Sequence, residues 1–491
     1  MKPIMMLFVI LLPVLTGMGT ALLPFRKRGQ RILFLEGLVL VNTLLVFALL
    51  ANPPSAELAV VKFTGDLTLS LRIDGMSRVF GGLVAALWPL ATLYAVEYMK
   101  HEQNENSFFL FYTMTYGVTL GIAFAEDLMT MYFFYELLTL VTVPLVMHTL
   151  TREAILASRK YLYYSLGGAA FGFLGLIFMI VYGASPDFVP GGSLDLIKIG
   201  GRTDLLLFIY VLAFLGFGVK AAVCPFNSWL PSAGVAPTPV TALLHAVAVV
   251  KAGAFAIIRL TYYCFGTSFL RGTWAQTAVM AITVFTIIYG CSRALKETHL
   301  KRRLAYSTIS NLSYILFGVT IMTPLGLTAA LAHMVCHAVM KICSFFCAGA
   351  VIYKTEKTYV YELDGLGRKM PWTFGIFTLA ALALMGVPGL AGFISKWYLA
   401  AAAVDFGSPL ALAGIGALLI SALLTAIYLL SIVIRAFFTP PDFDETAIAD
   451  VRDPNWYMLL PLGLFALTIL FLGLHSAKLM AFLTKAVEGI C

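Results

Sequence analysis

The sequence predicts an all-α polytopic membrane protein, on three observations. Of the 491 residues 60% are hydrophobic and only 12% charged, and the mean hydropathy is +0.91, far outside the range of soluble domains. Apolar windows of about 20 residues, enough to cross a bilayer as a helix, recur about fourteen times. They begin near Ile4, Ile32, Val79, Phe108, Leu128, Leu162, Leu205, Val235, Ala275, Leu304, Leu325, Phe374, Leu410 and Met458. Finally, one acid and four lysines stand deep inside those windows: Glu136, Lys220, Lys251, Lys341 and Lys396.

The first window follows Lys2 as a secretory signal would. Its apolar run continues to about Leu23, basic residues follow, and no small-residue cleavage site is visible, so it reads as a retained span. Alternate loops then carry the basic residues: Arg26, Lys27, Arg28 and Arg31; Arg152, Arg159 and Lys160; Lys296, Lys301, Arg302 and Arg303; Lys354, Lys357, Arg368 and Lys369. In the opposite set Lys62, Arg72, Lys198, Arg202 and Arg271 are largely balanced by nearby acids. This bias predicts both termini on the outer side of a cell (inner) membrane. It also accounts for the net charge of +8 without a nucleic-acid partner. The longest polar connections, Ala51 to Arg78, Ala184 to Asp204 and Thr439 to Asn455, are too short to fold alone, so residues 1–491 read as one membrane domain. The seven cysteines form no CxxC pair or iron–sulfur spacing; Cys336, Cys343 and Cys347 share a helical face as small buried thiols.

A charge at a span's centre costs roughly 2.5–3.5 kcal/mol on insertion scales, so five ask for something on the order of 10–20 kcal/mol. The default inference is an ion or proton pathway, against snorkelling or structural capping. Lys251 has too much apolar sequence on both sides to snorkel. Lys220 runs into Cys224-Pro225-Phe226, and Lys396 follows Gly386-Val387-Pro388-Gly389. Pro225 and Pro388 are therefore helix breaks beside mid-membrane lysines; there a lysine also has the option of capping freed carbonyls. Two broken helices in matching halves point to an inverted-repeat transporter, with freed backbone groups that require water or protein partners.

His333, His337 and Lys341 follow one another at four-residue steps, stacking three titratable groups on one helix face over about 12 Å. The histidine pair invites a zinc or haem reading, but no carboxylate follows in a metalloprotease pattern and no cysteine supplies a nearby third ligand. No metal or cofactor is expected. His245 either extends a proton route or is a hydrogen-bonded core histidine. Glu136, alone in its span, would be driven neutral by desolvation, and beside a lysine would ionise and hold that lysine charged.

Several runs together resemble a known family: Lys220 to Pro231; Ala236 to Ala246 with Val250 to Gly253; Leu300 to Thr308; and His333 to Lys341. They are similar to the antiporter-like subunits shared by respiratory complex I, Mrp-type cation/proton antiporters and membrane-bound energy-converting hydrogenases. The resemblance covers most of the chain. It implies fourteen transmembrane helices in two inverted five-helix repeats, each with a broken helix, at about 108–262 and 272–438. It also implies roles: Glu136 paired with Lys220, Lys251 as central relay, His333, His337 and Lys341 as the second-half connection, and Lys396 as the exit-side lysine. The loop Lys296-Glu297-Thr298-His299 departs from many relatives, which place an aspartate before the leucine. The chain stops soon after the fourteenth window, without a long lateral helix, which favours the smaller members.

The expected function is proton translocation by a subunit that associates with other membrane subunits, related ones included. With no nucleotide fingerprint, flavin motif or cluster-ligand spacing, redox chemistry of its own is not expected; partner subunits or a sodium gradient would supply the energy. Rival readings are a stand-alone sodium/proton antiporter, which would need oxygen ligands at depth, and a non-conducting scaffold subunit.

Overall fold

The computed structural model describes residues 2–64, 67–440, 443 and 445–490; the chain ends at 1 and 491, with Cys491, lie outside the described residues. Thirteen described helices are long and apolar enough to cross a membrane. They include α1 (Ile4–Leu22), α2 (Arg28–Ala51), α3 (Gly75–Tyr98), α4 (Glu105–Phe124), α5 (Leu128–Val146), α6 (Arg152–Tyr182) and α7 (Thr203–Lys220). Then come α8 (Thr238–Phe265), α9 (Trp274–Lys296), α10 (Leu300–Ile321) and α11 (Pro324–Thr355). A further crossing is made by two shorter pieces, α12 (Pro371–Met385) and α13 (Ala391–Phe406), before α14 (Pro409–Phe437), α15 (Trp456–Leu474) and a closing helix, α16 (Ser476–Val487). That makes fourteen crossings, as the windows predict.

The departure from helix is a hairpin in the Ala51–Arg78 connection. Strands β1 (Leu58–Thr64) and β2 (Leu67–Leu71) pair antiparallel, with irregular register between Ala59 and Val61 and between Lys62 and Thr64. Its alternation was masked by the apolar windows on either side. Beside it Asp74 caps α3, accepting from the Ser77 N–H at 2.8 Å, and Asp127 caps α5, accepting from the Thr130 N–H at 2.6 Å. Caps of this kind satisfy donors that the helix itself leaves free.

Burial separates the helices by task. α8, α10 and α11 are enclosed by protein on nearly all sides, whereas α1, α2, α14 and α15 present large apolar side chains such as Leu15, Leu44, Leu419 and Leu467 outwards. In a bilayer, exposed leucine is the favoured surface, and a helix apolar all round is the signature of an interior or lipid-facing position. The deep lysines and histidines lie on the enclosed helices and on the broken ones packed around them.

The two breaks differ. α7 ends at Lys220, Ala222 takes a left-handed φ of +57°, and Pro225 lies in the turn that follows. Only a four-residue helix, Trp229–Ser232, resumes there, and the Trp229 indole donates to the freed Val219 carbonyl at 2.8 Å. At the second break, Gly386 with φ +96° ends α12, Pro388 lies in the connection, and a full half-helix, α13, resumes. α8 is itself irregular: π turns at Leu243–Val247 and Leu260–Phe265 flank the α-helical stretch Val249–Arg259. No proline–glycine signal announces either turn.

Candidate functional site: a buried run of ionisable side chains

Glu136, on α5, and Lys220, at the last turn of α7, form the first pair, with Nζ 3.8 Å from Oε1. Lys220 is fully buried. Its ammonium also donates to the Tyr135 carbonyl and lies over the Tyr135 ring, 3.3 Å from the centroid. The sequence left open a cap on its own helix end; instead Lys220 reaches across to α5. A bare ammonium in this setting is held by a carboxylate, a carbonyl dipole and a ring quadrupole together, the compensation that burial of a charge demands.

α8 comes close to this pair because residue 253 is glycine: a β-carbon there would stand 2.5 Å from Ala221 N and 3.0 Å from the Lys220 side chain. Two residues earlier Lys251 points to α11, where its Nζ lies 2.5 Å from His337 Nδ1. With the ammonium donating, His337 holds its own proton on Nε2; if that proton moves, donor and acceptor exchange roles across the same contact. His333 stacks one turn away, ring centroids 5.7 Å apart. Its Nδ1 is 2.9 Å from Ser395 Oγ, and Ser395 in turn donates to the Gly392 carbonyl at 3.2 Å. The serine hydroxyl can accept from a protonated His333 Nδ1 while it donates to the carbonyl, or donate to the bare nitrogen.

The next residue is Lys396. Its ammonium caps the end of α12, donating to the Leu384 carbonyl at 2.7 Å and the Met385 carbonyl at 3.0 Å, with the Tyr314 ring 5.3 Å away. Here the capping option is the one adopted. Gly392 again makes the geometry possible, since a β-carbon would collide with the Ala383 carbonyl.

The structure thus brings four side chains into one sequence of neighbours, Lys251, His337, His333 and Ser395, with Lys396 following Ser395 along α13 and Glu136–Lys220 set beside the start. Two predicted site residues stand apart. Lys341 is buried and donates to the Leu304 carbonyl of α10 at 3.1 Å. His245 lies in the first π turn of α8 against the Phe345 ring, centroids 4.7 Å apart, and neither ring nitrogen has a partner among the described residues.

Sequence reasoning missed Ser395, both tyrosine rings and a buried ion pair at the hairpin end. Arg259, near the end of α8, is 1% exposed and contacts Asp74 at 2.5 and 2.8 Å across 185 residues. It lies among the rings of Phe188, Phe255 and Tyr263. Burial raises the Asp74 pKa, but the adjacent guanidinium and the Ser77 N–H outweigh that and hold it at about 2. Nearby, burial pushes Glu126 up to about 7 against the pull of Arg72, 2.8 Å away. At the opposite membrane face the basic residues serve the fold: Arg28 contacts Glu105 at 2.6 Å, and Lys301 donates to the Ala236 carbonyl at 2.8 Å.

Fourteen crossings around a buried file of amines and imidazoles define an ion-handling membrane subunit of the antiporter type. The chain belongs to the family described as NADH:quinone oxidoreductase/Mrp antiporter, TM, which matches residues 125–425; residues 62–109 match a second description, NADH-Ubiquinone oxidoreductase (complex I), chain 5 N-terminus. It is 30% identical over 374 residues to NADH-quinone oxidoreductase subunit N of Desulforudis audaxviator, covering 75% of this chain and 73% of that one. It is also 30% identical over 496 residues to the A/B chain of a probable K(+)/H(+) antiporter of Rhizobium meliloti; that match takes in 98% of this chain and 48% of the longer protein, about half its length. The fold matches a chain of an archaeal membrane-bound sulfane sulfur reductase with a TM-score of 0.84, at 22% identity, over 99% of this chain and 97% of the other.

Proposed function

We propose that this chain is a proton-translocating, antiporter-like subunit of a multisubunit membrane complex of the Mrp, complex I-like or energy-converting hydrogenase kind. The carrying observation is the set Lys251, His337, His333 and Ser395, all buried, with contacts of hydrogen-bond length from Lys251 to His337 and from His333 to Ser395, and the half-buried Lys396 next along α13. Amines and imidazoles exchange protons; they do not ligate a hard alkali cation, which prefers oxygen. A scaffold would gain by replacing such groups with leucine.

Glu136, Lys220, Lys251, His333, His337, Lys341 and Lys396 carry the proton, and His245 hydrates or extends the route at the π turn. When Glu136 approaches Lys220, the protonated lysine is stabilised; when it withdraws, a proton is released towards Lys251. Neighbouring sites interact strongly, so their titration belongs to the array. Moving each charge against 100 mV costs about 2.3 kcal/mol, supplied by partner subunits or a sodium gradient. Residues 108–262 and 272–438 form the two inverted repeats: Lys220 and Lys396 both occupy the fourth crossing of their half, each over a tyrosine ring from the second. An even number of crossings places both termini on one face, the outer one by the positive-inside bias.

The test is proton uptake by vesicles holding the purified complex. With Lys220→Ala or Glu136→Gln, pumping should be lost while the complex assembles; undiminished uptake would overturn the reading.

A further inference from the structure

At the membrane face that carries the hairpin, two cavities share Arg78 and Phe482 in their walls. One, of about 480 Å³, lies between the first turn of α3 and the C-terminal helix, with the charged residues Asp74, Lys485 and Glu488 also in its walls. The other, of about 600 Å³, is a groove running down α3 between α2, α11 and α15, walled by side chains such as Phe47, Leu83, Leu87 and Phe465. Both volumes fall within the range of small-molecule sites. The Arg78 guanidinium has no ion pair or hydrogen bond to a protein group among the described residues. An unengaged five-donor fork at the seam between a pocket with charged residues in its walls and an apolar groove is matched to a phosphate carrying a hydrocarbon tail.

The remaining charges narrow the head group. Asp74 is already taken up by Arg259, with contacts of 2.5 and 2.8 Å, which leaves Arg78, Lys485 and Glu488 for a ligand. Two cations suit a phosphate, and the carboxylate suits an ammonium beside it. We propose that this is a binding site for one membrane phospholipid with an amine-bearing head group: its phosphate on Arg78 and Lys485, its ammonium at Glu488, and an acyl chain in the groove. The groove reaches Val335 and Val339, which bracket His337 along α11 and stand on the opposite side of that helix. The chain of the lipid thereby packs the back of the helix that presents the histidines to Lys251. The site does not depend on the transport reading.

The test is phospholipid retained by the whole complex, purified in mild detergent from native membranes and counted by mass spectrometry, for the natural chain, Arg78→Gln and Gly82→Leu. Gly82 borders the groove, and a β-carbon there meets only Leu50 at 3.5 Å, so leucine fills the groove without touching the phosphate site. The natural complex should keep one more aminophospholipid per copy of this chain than Gly82→Leu. Arg78→Gln should weaken retention about tenfold, the effect of losing a charge-assisted hydrogen bond. Equal counts in all three complexes would overturn the proposal, as would a partner subunit's helix seated in the groove. Retention of phosphatidylglycerol in equal amount would overturn the head-group assignment.

Discussion

The two helix breaks each stand beside a lysine and engage its ammonium by different means. At the first, Lys220 faces a carboxylate 3.8 Å away, on α5. At the second, Lys396 binds the two carbonyls that end α12, and α10, the helix corresponding to α5, contains no acid at all. Both lysines keep a tyrosine ring, Tyr135 or Tyr314. A carboxylate can gain or lose charge and a backbone carbonyl cannot, so Lys220 has a titratable partner and Lys396 a fixed one.

Substitutions at the two breaks should therefore fail differently. The largest effect is expected from Glu136→Gln, which leaves Lys220 without its counter-charge: proton transport should fall at least tenfold, the change that about 1.4 kcal/mol produces, with assembly intact. Transport by that variant at the natural rate would end the distinction. Lys396→Met should lose transport and also stability, because two carbonyls lose charged donors worth about 1.5–3 kcal/mol each; a thermal midpoint equal to the natural protein's would show that the cap holds nothing together. Lys396→Arg, which can still donate to both carbonyls, should recover the stability. Ser395→Ala removes one neutral hydrogen bond to His333 and should cost about 1 kcal/mol, with a partial loss of transport separable from the Lys396 phenotype.

The smallest effect is one of pH, at the hairpin. Glu126 has a folded pKa of about 7 against an ordinary value of 4.5, so the folded chain holds the proton more tightly than the unfolded one. Its contribution to stability is complete below the ordinary value and lost as pH rises through about 7. Glu126→Gln should flatten the fall in thermal midpoint between those limits while leaving transport at both breaks unchanged. An unaltered slope would assign the pH response elsewhere.

The crossings were legible because bilayer thickness and apolar run length are directly linked, and Glu136, Lys220, Lys251, Lys341 and Lys396 stood out because each interrupts such a run. The spacing of His333, His337 and Lys341 also gave their common face. Their partners were not legible. Lys251 meets His337 across 86 residues and His333 meets Ser395 across 62, contacts set by helix rotation and packing that no local pattern encodes. Arg259 meets Asp74 across 185 residues, a pairing that no local pattern announces. The hairpin lay hidden between two spans, and the choice of cap at each break depended on which neighbouring helix supplied an acid.

The π turns of α8 carry a further consequence for how the route is tuned. Each winds one surplus residue into a helix whose ordinary step is about 100° per residue. Wound as ordinary helix with every residue kept, Leu243–Val247 would rotate whatever follows it by nearly a third of a revolution, swinging Lys251 off His337 without altering any side chain. The winding of α8 alone thus decides which of its side chains faces α11.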